Sequence, residues 1–116
     1  MKVENLVVWQ KSIDLVLEIY KQTENFPSEE KFCLVSQMKR AAISIPSNIS
    51  EGYGRRSQKE FLQFLSVSRG SLCELETQII IAKKLKFLEK GNDLIEKISE
   101  IHKMMHVLSK KTKQNS

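Results

Sequence analysis

His102 and His106 stand four residues apart in His-Lys-Met-Met-His, the spacing that sets two imidazoles on one helix face where they can share a metal ion. The glutamate of the zinc-protease pattern is missing, and Cys33 and Cys73 fall in other segments, so no third ligand is evident. Surface histidines are the reading, with no metal and no cofactor. Ser44, Ser47, Ser50 and Ser71, together with Glu74, offer hydroxyls and a carboxylate for hydrolysis, but no histidine lies in their segments to act as base. Capping and polar packing account for them, and the expectation is a protein that is not an enzyme. Gly52-Tyr53-Gly54 has the small residues of a nucleotide loop without the strand that should precede one. The chemistry left is ionic. Arg55, Arg56 and Lys59 cluster with Tyr53 beside them, which suits electrostatic contact with phosphates and stacking on a base. Arg55 and Arg56 have no acid after them until Glu60, and a helix N-terminus follows, whose free N–H groups would face an incoming phosphate. Lys39, Arg69 and the Lys110-Lys111 pair are the further candidates.

The composition behind these residues is that of an ordinary soluble domain. The 116 residues are 41% hydrophobic and 28% charged, enough for one core. The net charge is +5, with a pI near 9.3. Residues 1–27 hold three cations and four acids (−1), while 28–56, 57–87 and 88–116 hold five against three, five against three and six against four, +2 each. That spread fits attraction to polyanions and fits plain solubility equally. No signal peptide or membrane-length apolar run is seen, so a cytoplasmic protein with reduced cysteines is expected and Asn48-Ile49-Ser50 is not a glycosylation site.

Four helical patterns must position the candidates, in one domain spanning 1–116. Over 6–22, Trp9, Ile13, Val16 and Tyr20 form a stripe spaced four, three, four, widened by Val8, Leu15 and Ile19. A second helix is expected over 28–53, with Ser28 as N-cap, a bend at Pro46 eased by Ser44 and Ser47, and an end at Gly52-Tyr53-Gly54. Ser57-Gln58-Lys59-Glu60 matches a capping box and opens a third helix over 58–86. There Phe61, Leu65, Ser68, Leu72, Leu75, Ile79 and Ala82 alternate four and three, with Phe64, Val67, Ile81 and Leu85 extending the face. A fourth, over 90–111, carries Leu94, Ile98, Ile101, Met105 and Leu108, followed by a frayed basic tail. No run has period two. The fold class is all-α, an up-down-up-down antiparallel four-helix bundle.

Counting back from the turn between helices 2 and 3 sets Gly70 opposite Arg40, Ala41 and Ala42. A close helix crossing there would explain the glycine, and a leucine in its place would overpack the bundle. The same count brings Glu74 within a turn of Arg40, where the two either pair or stand as solvated charges. The apolar face of helix 1 is wider than one seam needs, and Leu62, Cys73 and Ile80 lie outside the main stripe of helix 3, so self-association is expected.

Trp9-Gln10-Lys11, Phe26-Pro27, the run from Leu34 through Gln37, Arg40-Ala41-Ala42 and Ser44-Ile45-Pro46-Ser47-Asn48-Ile49-Ser50-Glu51-Gly52, and Gly70-Ser71-Leu72-x-Glu74-Leu75-x-Thr77-Gln78 form one extended pattern. It resembles the bacterial four-helix-bundle family named for proteins encoded in intervening sequences of 23S ribosomal RNA genes, and is similar to the accessory protein of diversity-generating retroelements. The resemblance spans nearly the whole chain and implies a homopentameric barrel, nucleic-acid binding and, in a retroelement setting, a reverse transcriptase as partner. On the helix bend, the helix end and the hairpin count, Arg40, Pro46, Gly52, Gly70 and Glu74 are read as structural residues. Lys86 departs from the pattern, which leads one to expect glycine before an aromatic residue and leucine, so a different turn is expected there. The function expected is a non-enzymatic, oligomeric protein binding RNA or DNA through Arg55, Arg56, Lys59, Lys39 and Arg69. The alternative is a structural or protein–protein adaptor whose charge only keeps it in solution.

Overall fold

Apolar stripes at helical spacing become four helices, α1 (Val7–Thr23), α2 (Leu34–Tyr53), α3 (Gln58–Lys84) and α4 (Gly91–Gln114), with 3-10 turns at Val3–Asn5 and Ser28–Glu30. The computed structural model describes residues 2–89 and 91–115; position 90, the expected start of the fourth helix, lies outside them. No strand occurs among the described residues. Each helix runs antiparallel to its predecessor: Lys39 lies over Tyr20, Ser68 reaches Ile45 and Lys83 meets Asn92. A 3.3 Å ion pair between Lys11 and Glu100 joins α1 to α4. The result is a rod of 47 × 23 × 20 Å around one apolar core. No helix among the described residues is long and apolar enough to cross a membrane.

In α1 the two stripes exchange roles. Val8, Leu15 and Ile19 enter the core with Ser12 and Thr23, whereas Trp9, Ile13 and Val16 are only half-buried and Tyr20 is exposed. The buried hydroxyls are satisfied within the helix, Ser12 donating to the Trp9 carbonyl (2.7 Å) and Thr23 to that of Ile19 (2.8 Å). Small hydroxyl residues thus serve as core positions on this face, a pattern hidden to a count of apolar residues.

The second helix begins at Leu34, not Ser28. Ser28 opens a 3-10 turn without a side-chain cap bond, and Cys33, at φ −117° and ψ −100°, breaks any continuous helix before Leu34. This irregular stretch follows Phe26, which is buried and packs its ring 5.5 Å from that of Phe87. Beyond it, α2 runs unbroken through Pro46. Ser44 does not repair the backbone there; its hydroxyl meets Ser71 (2.9 Å) and the Asn48 amide (2.8 Å), while Ser68 donates to the Ile45 carbonyl at 2.8 Å. Ser47 is exposed.

Two glycines change places in importance. Gly70 is exposed, and a Cβ added to it would meet nothing within 4 Å. The expected crossing with Ala41 and Ala42 is absent because Gly70 is two residues from both Ser68 and Leu72, about 200° around the helix from the buried stripe. The close approach is at Gly52, where a Cβ would lie 2.6 Å from Cβ of Phe64 and 3.1 Å from Cδ1 of Phe61. Arg40 and Glu74 are both exposed and form no ion pair; Glu74 instead accepts from Nε2 of Gln78 at 3.2 Å. The other amide atom of Gln78, Oε1, is buried with no hydrogen-bond partner among the described residues.

In α3 the stripe Leu65, Ser68, Leu72, Leu75, Ile79 and Ala82 is buried, but Val67, Ile81 and Leu85, expected to extend it, are exposed. The helix ends at Lys84 because Lys86 adopts φ 66°, the left-handed conformation. The Phe87 amide bonds to the Ala82 carbonyl and the Lys86 amide to that of Lys83, both at 2.9 Å, which is a Schellman motif. Lysine therefore stands where the turn wants glycine, and the turn itself is the ordinary one. At the other end of the chain α4 continues to Gln114 with Thr112 buried, so the expected frayed tail is helical.

Gly52→Ala is expected to destabilise the protein by roughly 1–3 kcal/mol through the clash with Phe64. Gly70→Ala should be neutral or stabilise by up to about 1 kcal/mol. Lys86→Gly should stabilise by about 0.5–1 kcal/mol, relief of left-handed strain less the entropy glycine adds to the unfolded chain. Urea denaturation checks all three, and a Gly70→Ala loss exceeding that of Gly52→Ala would refute the packing described.

Candidate nucleic-acid interface

The α2–α3 turn is held from below by the Gly52 contact with Phe61 and Phe64 and from above by Ser57, whose Oγ accepts the Glu60 amide at 3.1 Å. That bond takes up one of the helix N-terminal donors expected to face a phosphate. Tyr53 is half-buried, its ring edge-on to Phe61 with centroids 6.1 Å apart, so it is packed into the turn rather than offered as an open stacking face.

Arg55 is not without an acid neighbour. Glu51, four residues back in the last turn of α2, holds it at 2.6 Å, and the Arg55 guanidinium lies 5.1 Å from the Phe64 ring centroid. The sequence carries the signal for this pair in its four-residue spacing, on the side preceding the arginines rather than following them. Both partners are about half exposed, so the pair contributes on the order of 0–1 kcal/mol. Its effect is on charge, since it neutralises one of the three cations at the turn. Arg56 and Lys59 are exposed and form no ion pair among the described residues.

Lys39 and Arg69 do not join this cluster. Lys39 sits 4.4 Å over the Tyr20 ring, and it lies 14 helical positions before the end of α2 at Tyr53, roughly 21 Å of rise. Arg69 is exposed on α3, about 15 Å of rise beyond Lys59. What the topology does bring to the turn is the end of α4. Antiparallel packing sets the α4 C-terminus beside the start of α1, where Leu6, Val7 and Val8 share an open groove with Lys103, Val107, Leu108 and Lys111. Lys110, Lys111 and Lys113 thereby come to the end of the rod that holds the α2–α3 turn.

Counting this end as residues 2–6, 51–60 and 108–115, it holds seven cations (Lys2, Arg55, Arg56, Lys59, Lys110, Lys111, Lys113) and three acids (Glu4, Glu51, Glu60). Its charge is +4, against +5 for the whole chain. The opposite half of the α1–α4 face is acidic, with Glu18, Asp93, Glu96 and Glu100 around a single Lys97. The charge that looked evenly spread in sequence is polarised along the rod.

A family model described as 23S rRNA-intervening sequence protein matches residues 4–107. The chain belongs to that family. A crystal structure of a protein of unknown function from the S23 ribosomal protein family of Bacteroides thetaiotaomicron VPI-5482 superposes with a TM-score of 0.83 at 23% identity, covering 95% of this chain and 99% of that one. At that identity the likeness concerns the fold. No curated protein matches this chain. In this family member two of the serines offered for hydrolysis, Ser44 and Ser71, are engaged instead with each other across the α2–α3 seam, while Ser47 and Ser50 are exposed.

Glu51→Gln should leave stability within about 1 kcal/mol of the parent. It should release Arg55 and strengthen binding to a single-stranded RNA oligonucleotide, with a salt slope steeper by about 0.7. Fluorescence anisotropy across a salt series checks both the affinity and the slope.

Proposed function

We propose that this member of the 23S rRNA-intervening sequence family is a non-enzymatic, self-associating helical protein that binds nucleic acid through the basic end of its rod. The observation that carries the reading is the concentration of +4 at one end, contributed by helix ends distant in sequence. Arg56, Lys59, Lys110 and Lys111 supply the contacts, with Arg55 recruited when phosphate competes with Glu51. Contacts of this kind are with the backbone and therefore tolerant of sequence.

Self-association is supported by the apolar surface. Trp9, Ile13 and Val16 line an open groove of about 480 Å³ with Ile43 and Pro46, and Leu17 on the same helix as Trp9 is 63% exposed. A ring of five copies, as the family resemblance implies, would repeat the basic end around an axis and convert weak contacts into avidity. The same groove favours the second reading, an adaptor that docks protein partners, a reverse transcriptase among them in a retroelement setting.

Replacing Arg56, Lys59, Lys110 and Lys111 together with alanine should weaken RNA binding at all sequences tested. The slope of log affinity against log salt should flatten by about 0.7–0.9 for each phosphate no longer neutralised. Unchanged affinity and slope would leave the adaptor reading. Light scattering at micromolar concentration should find a closed oligomer, and Ile43→Asp should reduce it to monomers with the helix content kept; a parent protein that is already monomeric would refute self-association.

A further inference from the structure

The histidine pair has no third ligand in its own segment, and the tertiary structure supplies one. Across the α3–α4 seam Cys73 Sγ lies 3.9 Å from Nε2 of His102. Two ligands bound to one zinc ion at about 2.3 Å (sulfur) and 2.0–2.1 Å (nitrogen) stand roughly 3.6 Å apart at a tetrahedral angle. The observed separation is within a few tenths of an ångström of that. We propose that Cys73, His102 and His106 form a binding site for a late first-row divalent cation, with Zn²⁺ the best fit. This does not depend on nucleic-acid binding.

In the conformation described, no three metal-ligating side chains among the described residues converge on one point. His106 completes the set by rotating its side chain. It is exposed, one turn beyond His102 on the same helix face, and exposed rotamers exchange in picoseconds to nanoseconds. Cys73 and His106 are both exposed, so a water from solvent can take the fourth position. On binding, the Cys73 thiol gives its proton to solvent and the thiolate joins two neutral imidazoles, a mixed soft and borderline donor set suited to zinc.

Titration of the reduced full-length protein with Co²⁺, followed by ultraviolet–visible absorption, tests this. A sulfur-to-cobalt charge-transfer band with tetrahedral visible bands should appear at one equivalent per chain, and Zn²⁺ should displace it. Cys73→Ser should abolish the charge-transfer band, while Cys33→Ser should leave it intact. His102→Ala and His106→Ala should each weaken binding by about tenfold or more, with helix content unchanged by circular dichroism. No band at stoichiometric cobalt, a band surviving Cys73→Ser, or unchanged affinity in either histidine variant would overturn the three-ligand site.

Discussion

The buried hydroxyl of Ser68, 2.8 Å from the Ile45 carbonyl, ties α3 to α2 immediately before Pro46. A buried hydrogen bond contributes only about 0.5–1.5 kcal/mol net, but leaving one partner unmet costs about 1–3 kcal/mol, so it selects one register strongly. That register brings Ser71 to Ser44 and Gly52 under Phe61 and Phe64. A helix containing proline is thereby held against its neighbour without a break, and the turn beyond it is closed tightly enough to present Arg55, Arg56 and Lys59 outward.

Antiparallel packing then does for charge what it does for apolar stripes. The α2–α3 turn and the end of α4 are about fifty residues apart in sequence but share one end of the rod, so their cations add. The acids of α1 and α4 gather on the other half of their shared face. The ion pair between Arg55 and Glu51 moderates the basic end without adding much stability, because both groups remain largely in water.

The shared fold at 23% identity is understandable from the same constraints. Buried stripes, a seam of small hydroxyls and a Schellman turn can be met by many sequences. Lys86 illustrates the tolerance: the hydrogen bonds of the motif persist around a lysine in a left-handed conformation, with Phe87 anchored on Phe26.

The sequence by itself determined the four helices, the Ser57 cap, the continuation of α2 through Pro46 and most of the α3 and α4 core, since these depend on local periodicity and local hydrogen bonding. It could not say which of two adjacent stripes in α1 would face inward, because Ser12 and Thr23 satisfy their hydroxyls on their own helix and so pass as core residues. Nor could it choose between Gly52 and Gly70 as the crossing glycine, since a count along a hairpin gives level but not angular position. At the candidate site, the turn cations were legible from composition. The pairing of Arg55 with Glu51 was carried by their four-residue spacing, but the enclosure of Tyr53 and the arrival of the α4 lysines were not legible. Those depend on where side chains and helix ends meet in space, and only the tertiary packing decides that.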